Sequence, residues 1–278
     1  MKFGFHVSIS GSVDMAVDRA VKLGCTTFQI FTRSPRQWYS TNLDSEIAKK
    51  FSDKVKENNI QPVFAHMPYL PNLASPKDDV YEKSVKTLGS ELKRCELLEI
   101  PYLVTHLGSH LGAGMQIGFE RLIHAINQAL TLTDEVMLLL ENTAGTKNSM
   151  GNTLEQIQEI IKEVDHPEQV GVCFDTSHAF AAGYDFRTKE AVEKTVTNIE
   201  ETFGFEKLKL VHLNDSKGDL NSRIDRHDHI GMGKIGEDGF RNILASKLRT
   251  LPIIMETPID DRRDDIGNLE KLKELYKK

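Results

Sequence analysis

Residues 209–231, KLVHLNDSKGDLNSRIDRHDHIG, contain the pattern that decides the fold. The segment begins as a short apolar strand, Lys209 to Leu213, which carries a histidine at His212 and breaks at Asn214-Asp215 into a polar loop. That loop ends in Asp225-Arg226-His227, where a carboxylate and an imidazole two residues apart can project to one side of an extended segment and close on one cation. We interpret the stretch as a metal site directed at a negatively charged substrate.

The same arrangement of a short strand and a following polar residue recurs along the chain. Eight strand-like runs alternate with amphipathic, helix-like runs, without a linker or a low-complexity insert. Apolar strands separated by such helices predict a parallel sheet covered by helices. Eight units predict an α/β fold, a single (β/α)8 TIM barrel over residues 1–278, with its active site at the C-terminal ends of the strands. The predicted strands are Lys2–Val7, Thr26–Phe31, Pro62–Ala65, Tyr102–Thr105, Val136–Leu140, Val170–Phe174, Lys209–Val211 and Pro252–Met255.

A potential metal ligand directly follows each of the last six predicted strands, which is hard to assign to chance. A histidine three residues after the sixth strand and the Asp225/His227 pair add further candidates. Zinc takes about four ligands, so nine groups with a bridging carboxylate suit three ions. The imidazole-rich mixture favours Zn²⁺, with Mn²⁺ or Fe²⁺ as alternatives. The candidate ligands are His66, His106, Glu141, Asp175, His178, His212, Asp225, His227 and Glu256.

Composition places the chain among soluble, enzyme-sized proteins. Of its 278 residues, 39% are hydrophobic and 27% are charged, and no apolar run reaches membrane-spanning length. We therefore expect a cytoplasmic protein, and a monomer by default. The net charge of −6 argues against a nucleic-acid partner only until bound cations are counted, because three divalent ions would bring it near zero. Cys25, Cys95 and Cys173 form no CxxC pair and are interpreted as small buried residues of a reduced compartment.

Seven motifs together resemble the endonuclease IV family of zinc-dependent apurinic/apyrimidinic endonucleases. The resemblance covers nearly the whole chain, and the motifs lie in the order of that family. The segments DTSHAFAAGYD and DRH followed by the glycine run are its most specific parts. The motifs are FTRSPRQW at 31–38, HMPYL at 66–70, THLGSH at 105–110, ENTAG at 141–145, FDTSHAFAAGYD at 174–185, HLNDSK at 212–217 and DRHDHIGMGKIG at 225–236.

The resemblance implies a role for each candidate ligand. His66 and His106 would bind one zinc ion, and Glu141 would bridge it to a second. Asp175, His212 and Glu256 would complete the second site, and His178, Asp225 and His227 would bind a third ion. A hydroxide held between the first two ions would attack phosphorus, while Glu141 orients the nucleophile.

The resemblance also implies a substrate. The family takes part in base excision repair of DNA and cuts duplex DNA 5′ to an abasic site, leaving 3′-hydroxyl and 5′-deoxyribose phosphate ends. It also cleans blocked 3′ ends as a phosphatase or phosphodiesterase. Arg36, Tyr69 and Leu70 match DNA-binding positions that the family inserts into the helix while the abasic nucleotide is flipped out.

Other polar residues have weaker interpretations. His6 follows the first strand and is expected to line the pocket without binding a metal. Four histidines are expected to be ordinary surface or helix residues: His110, His124, His166 and His229. Four further basic residues of the predicted loops at the active-site end are candidate phosphate contacts: Arg33, Lys217, Arg223 and Arg226.

Two other classes of function remain open from the residues. A sugar isomerase or epimerase on the same barrel could hold one divalent metal with Glu141, Asp175, His212 and Glu256, but it leaves the other five ligands and Arg36 without a role. The complete set of candidate ligands argues against a DNA-damage binding module without catalysis. The nuclease is the function that uses all of these residues.

Overall fold

The eight predicted strands form one sheet in the computed structural model, which describes residues 1–39 and 41–277. The strands are short and largely buried, and all six residues of Val170–Asp175 are buried. Burial of both strand faces is expected when helices cover the outside of a parallel sheet and side chains fill its inside. The strands are β1 Phe3–Phe5, β2 Phe28–Ile30, β3 Val63–His66, β4 Tyr102–His106, β5 Met137–Glu141, β6 Val170–Asp175, β7 Leu208–His212, β8 Asp215–Ser216, β9 His227–Asp228 and β10 Ile253–Met255.

The order of the strands closes the sheet into a barrel. It runs β1-β10-β7-β6-β5-β4-β3-β2, and every neighbouring pair is parallel. A parallel bridge between His6 and Gln29 joins the two outer strands, β1 and β2. This arrangement, with helices between the strands, confirms the predicted (β/α)8 TIM barrel.

Six side chains fill the barrel directly beneath the predicted metal ligands, and they form a cluster of their own. Each is followed, two positions later in the chain, by one of those ligands. Alternate residues of a strand point to the same side. When an apolar side chain points into the barrel interior, the side chain two positions later therefore points inward as well. The packed interior therefore forms the floor of the candidate site. The pairs are Phe64 and His66, Val104 and His106, Leu139 and Glu141, Cys173 and Asp175, Leu210 and His212, and Ile254 and Glu256.

The helices pack their apolar faces against the outside of the sheet in one large core cluster. Thr153 caps the helix Leu154–Glu163, because its hydroxyl accepts a hydrogen bond from the backbone N–H of Gln156. Within the described residues, no helix has the length and apolar character needed to cross a membrane. The helices are α1 Met15–Lys22, α2 Ser45–Glu57, α3 Asp78–Leu97, α4 Met115–Leu130, α5 Leu154–Glu163, α6 Thr176–Ala182, α7 Lys189–Thr202, α8 Gly236–Ala245 and α9 Asp265–Lys277.

An antiparallel ribbon of β8 and β9, which the sequence did not predict, holds the long loop after β7. The buried side chain of Asp215 accepts a hydrogen bond from the backbone N–H of Gly233 and so fastens the ribbon to the following glycine-rich turn. A side chain at Gly233 would collide with the carbonyl oxygen of Ser216. The ribbon turns the loop back over the barrel and returns Asp225 and His227 to the strand ends.

Candidate metal centre

Glu141, the last residue of β5, is fully buried among the predicted metal ligands. Its Oε2 atom lies 3.1 Å from Nε2 of His66 and 3.5 Å from Nε2 of His106. Its Oε1 atom lies 2.9 Å from Nδ1 of His212. The two oxygens of this one carboxylate therefore face histidines on opposite sides, which is the arrangement a bridging ligand requires.

A second group of side chains surrounds His212. Its Nδ1 atom lies 3.3 Å from Oε2 of Glu256 and 4.0 Å from Oδ2 of Asp175. Ligand atoms of these three residues and of Glu141 all lie within 4.8 Å of one another. Three carboxylates this close repel one another unless protons or cations neutralise them. The group is therefore suited to a divalent cation.

A third group lies at the open side of the cluster. Nε2 of His178 lies 3.2 Å from Oδ1 of Asp225, and Nε2 of His227 lies 3.7 Å from Oδ2 of Asp175. The Nε2 atom of His227 is buried and has no hydrogen-bond partner within the described part of the chain. Buried polar atoms are seldom left unpaired, so this nitrogen has the surroundings of a ligand whose partner lies outside the protein chain.

All nine predicted ligands thus meet at the C-terminal end of the barrel, although one grouping differs from the expectation. In the third group, the ligand atoms that lie within 4.8 Å of one another belong to His178, His227 and Asp175, whereas Asp225 was expected as the third member. Asp225 lies on the loop between β8 and β9, and its side chain is 48% exposed. It therefore occupies the outer edge of the cluster, nearest to solvent.

Hydrogen bonds to backbone carbonyls fix which nitrogen of three histidines faces the cluster. A carbonyl oxygen only accepts, so each ring carries a proton on Nδ1 and directs Nε2 into the site, where this nitrogen presents a lone pair when the ring is neutral. Metal-binding histidines typically donate their other ring N–H in this way. The bonds run from His66 to Met67 (2.7 Å), from His178 to Asn142 (2.9 Å) and from His227 to Glu256 (3.1 Å).

His212 is turned the opposite way by a buried amide. Its Nε2 atom lies 2.8 Å from Oε1 of Gln29, which leaves Nδ1 facing Glu141. Asn214 in turn donates from Nδ2 to Oδ2 of Asp175 across 2.6 Å. Gln29 and Asn214 were not among the residues predicted from the sequence, although Asn214 carries a signal, since it lies two residues beyond a predicted ligand.

The histidines also keep the carboxylates ionised. Burial raises the pKa of Glu141, but the charges of His106 and His212 outweigh that effect and hold the pKa well below its ordinary value. The pKa of Asp225 is lowered to about 2, because the hydrogen bond and the charge of His178 outweigh its burial. Both carboxylates are therefore in their metal-binding form at neutral pH. Five imidazoles and four carboxylates form the mixed N/O ligand set that Zn²⁺, Mn²⁺ and iron accept.

Several known proteins resemble this chain over nearly its whole length. A family model described as Xylose isomerase-like TIM barrel matches residues 17–277. "Probable endonuclease 4" of Methanoculleus marisnigri is 56% identical over 275 residues, which cover 98% of this chain and 98% of that protein. The chain belongs to the endonuclease IV family.

Membership of the endonuclease IV family makes the chain a nuclease. The crystal structure of endonuclease IV from Thermus thermophilus superposes with a TM-score of 0.89 at 34% identity, over 100% of this chain and 99% of that one. A D-tagatose 3-epimerase-like protein superposes with a TM-score of 0.76 at 20% identity, over 100% of this chain and 97% of that one. At 20% identity, this second likeness shows a shared barrel fold alone. It therefore does not support a sugar isomerase or epimerase activity for this chain.

Of the three residues expected to contact DNA, Tyr69 lines the cavity at the candidate metal cluster, and Arg36 and Leu70 are exposed on loops beside it in sequence. Arg36 is exposed, and the side chains of Tyr69 and Leu70 are 65% and 38% exposed. The ring of Tyr69 packs edge-on against Phe31 at 5.1 Å, and its backbone N–H donates to the carbonyl of Pro35. The two loops that carry these residues are thus joined beside a cavity of about 440 Å³ that opens onto the metal cluster.

Two interpretations from the sequence were wrong. Arg33, expected as a phosphate contact, is only 6% exposed, and its Nε donates to Oε1 of Glu91 across 2.6 Å. It fastens the loop after β2 to α3. His229, expected to be an ordinary surface or helix residue, is fully buried and lies 2.8 Å from Asp260. The other candidate phosphate contacts are exposed: Lys217, Arg223 and Arg226.

The three cysteines are free and buried, as predicted. Cys173 is nevertheless closer to the site than the sequence indicated, because its sulfur lies within 4.8 Å of ligand atoms of Glu141 and His212. Burial raises the pKa of its thiol to about 12. The thiol therefore stays protonated at neutral pH, in agreement with a packing role.

Proposed function

We propose that this chain hydrolyses the phosphodiester bond 5′ to an abasic site in duplex DNA, leaving 3′-hydroxyl and 5′-deoxyribose phosphate ends, and that it also removes blocking groups from 3′ ends. One observation carries the proposal: nine ligand side chains converge at the open end of the barrel, with histidine lone pairs directed inward by hydrogen bonds. Its relatives from Methanoculleus marisnigri and Nitrosopumilus maritimus are named "Probable endonuclease 4", which supports DNA as the substrate.

The ligand set supports three Zn²⁺ ions, with Mn²⁺ or Fe²⁺ as alternatives at some sites. Four carboxylates against three divalent cations leave residual positive charge, which suits a phosphate. When bound, the ions would lower the pKa of water and neutralise charge on the phosphate. The proposed sites are His66, His106 and Glu141; Glu141, Asp175, His212 and Glu256; and His178, Asp225 and His227.

The protein's own groups orient the substrate and the nucleophile. The side chains of His106 and Asp225 are 45% and 48% exposed and mark the side from which a phosphate approaches. Glu141 lies buried beneath them, where its ionised carboxylate accepts a hydrogen bond from the attacking water. An in-line attack by this water forms the new P–O bond on the Glu141 side and breaks the P–O3′ bond on the opposite side of the phosphorus atom, and the 3′ oxygen takes up a proton and leaves as the 3′-hydroxyl.

Selectivity for damage follows from the cost of extruding a nucleotide. An abasic nucleotide has already lost its pairing and stacking, so flipping it into the cavity costs less than flipping an intact base. Arg36, Tyr69 and Leu70 are exposed, and their side chains would fill the gap left in the helix.

Incision of a duplex oligonucleotide with one abasic analogue tests the function, with an undamaged duplex as control and the bound metals quantified on the same sample. A 3′-phosphate primer tests the end-cleaning activity. We expect cleavage only at the lesion, a 3′-hydroxyl product and about three metal ions per chain, the number the proposed ligand sets accommodate. Absence of cleavage together with a single bound metal would favour sugar isomerase chemistry at Glu141, Asp175, His212 and Glu256.

A further inference from the structure

Gln29 on β2 ties together three side chains at the edge of the metal cluster and is fully buried. Its Oε1 atom lies 2.8 Å from Nε2 of His212. Its Nε2 atom lies 2.8 Å from Oε1 of Glu256 and 2.9 Å from Nδ1 of His6. An ionised carboxylate only accepts hydrogen bonds, so the NH₂ group of Gln29 must face Glu256 and its oxygen must face His212. The orientation of the amide is therefore fixed.

This orientation determines which nitrogen of His6 carries the proton. The second amide hydrogen of Gln29 points to Nδ1 of His6, which must accept it. Nδ1 of His6 lies 3.5 Å from Oε1 of Glu256, which is farther than either hydrogen bond that the Gln29 amide donates. Because hydrogen bonds weaken with distance, Nδ1 of His6 accepts from Gln29 and does not donate to Glu256. The proton of neutral His6 therefore lies on Nε2.

The Nε2–H of His6 is a buried donor without an acceptor among residues 1–39 and 41–277. His6 lines the cavity beside Phe31, His66 and Tyr69, and its ring centroid lies 4.2 Å from that of Phe31. A buried N–H without an acceptor costs free energy. Convergent polar groups of this kind in a cavity are typical of ligand-binding sites. The donor is in place before a ligand arrives.

We propose that His6 is a further catalytic residue, whose Nε2–H donates a hydrogen bond to an oxygen of the nucleotide held at the metal cluster, and that Gln29 is the residue that positions it. The inference rests on the proposed function, because the acceptor belongs to DNA. Two oxygens provide the same chemistry: a non-bridging oxygen of the scissile phosphate and the C1′ hydroxyl of the abasic sugar. A donor held in place by the protein is pre-organised, which is the condition under which one hydrogen bond contributes most to catalysis.

The substitution His6→Asn removes the proposed donor and keeps the hydrogen bond from Gln29. The Oδ1 atom of asparagine can still accept from Gln29, whereas nothing replaces the Nε2–H. We expect full metal content and a fall in single-turnover incision of about 10- to 100-fold, the range for loss of one hydrogen bond to a charged group. His6→Gln returns an N–H near the Nε2 position and should recover part of the loss. His124→Asn, at an exposed histidine of α4, is the matched control.

Two lesions identify the acceptor. A tetrahydrofuran analogue lacks the C1′ hydroxyl that a natural abasic sugar carries. An equal loss on both lesions assigns the acceptor to the phosphate, and a loss confined to the natural lesion assigns it to the sugar. Unchanged incision of both lesions by His6→Asn overturns the proposal, and so does a loss that is accounted for by missing metal.

The geometry also has a test that does not depend on cleavage. In the metal-loaded protein, NMR of the imidazole nitrogens should show His6 as the Nε2–H tautomer, and Gln29→Met should disturb that signal. The opposite tautomer in the unaltered protein overturns the proposal. If the unaltered protein does not incise abasic DNA, the proposed function and the DNA acceptor both fail, while the tautomer still shows whether Gln29 positions the donor.

Discussion

His212 donates from Nε2 to Oε1 of Gln29 across 2.8 Å, and this bond turns Nδ1 of the same ring toward Glu141 at 2.9 Å. One buried amide thus decides which face of the imidazole enters the metal cluster. The candidate ligand His212 is thus oriented by a residue that is not itself a candidate ligand. Such outer partners raise metal affinity because they remove the cost of orienting the ring.

Gln29→Met should therefore weaken metal retention without unfolding the protein. Methionine fills a similar volume but makes no strong hydrogen bond, so His212 loses its fixed orientation. We expect a metal affinity about 10- to 100-fold lower, measured by competition with a chelator. Gln116→Met, at an exposed glutamine of α4, should leave the affinity unchanged. Equal metal retention in both variants would mean that Gln29 does not orient the ligand.

Glu141→Gln should abolish incision while leaving the fold intact. The amide has the same shape, but it lacks the charge and the second acceptor oxygen with which one carboxylate bridges two cations. We expect a loss of incision larger than the roughly 10- to 100-fold effect of removing a partner outside the ligand set. Single-turnover incision, bound metal and circular dichroism measured together check this result. Glu155→Gln on the exposed face of α5 is the control, and substantial incision by Glu141→Gln would count against the bridging role.

Tyr69→Ala should weaken binding of damaged DNA more than it affects stability. The side chain is 65% exposed and packs only edge-on against Phe31, so its removal costs little in the free protein. Loss of one aromatic contact to a base costs about 1–3 kcal/mol of binding free energy. Equilibrium binding of an abasic duplex at fixed salt measures the effect. Tyr276→Ala on α9 provides the comparison, and equal affinities for the two variants would remove Tyr69 from the DNA interface.

Glu91→Gln should destabilise the protein and the DNA-facing loop together. Glu91 is fully buried and accepts hydrogen bonds from Arg33 and from Thr32, both at 2.6 Å. Removing one partner of a buried ion pair leaves an uncompensated charge, which costs about 3–5 kcal/mol. We expect a lower midpoint in urea and weaker binding of abasic DNA, because Arg36 lies on the same loop. A variant as stable as the unaltered protein would show that the pair does not anchor the loop.

Asp14 should contribute to the free energy of unfolding by an amount that depends on pH. Burial raises its pKa, but hydrogen bonds from Lys50, Ser12 and Lys54 outweigh this and lower it. The unfolded chain has a pKa of about 3.9 at such a residue, so the stabilisation is present above that pH and is lost as the pH falls toward the folded pKa. Asp14→Asn should lower the free energy of unfolding by about 1–3 kcal/mol at pH 7. Urea unfolding at pH 7 and below the unfolded pKa should show that difference shrinking, and an equal difference at both would contradict the assignment.

The barrel, and the end of it at which the candidate metal ligands lie, could be predicted because both depend on local periodicity. Leu210 and His212 lie two positions apart on β7, so the strand that buries the first in the interior must direct the second inward. Six strands repeat this spacing, and parallel strands bring their ends to one edge. The sequence therefore determined the fold class and which side chains meet.

Tertiary structure alone decided how those side chains are oriented and which neighbours remain free. Gln29 and His212 are 183 positions apart, so their hydrogen bond leaves no pattern in either segment. Arg33 and Arg36 share one loop, but only Arg33 turns inward, because a buried carboxylate on α3 requires a positive partner. The spacing of residues along the chain specifies which side of a strand each side chain faces. The donor, acceptor or charge that each side chain contacts lies on a distant segment, so this contact is set only when the segments pack together.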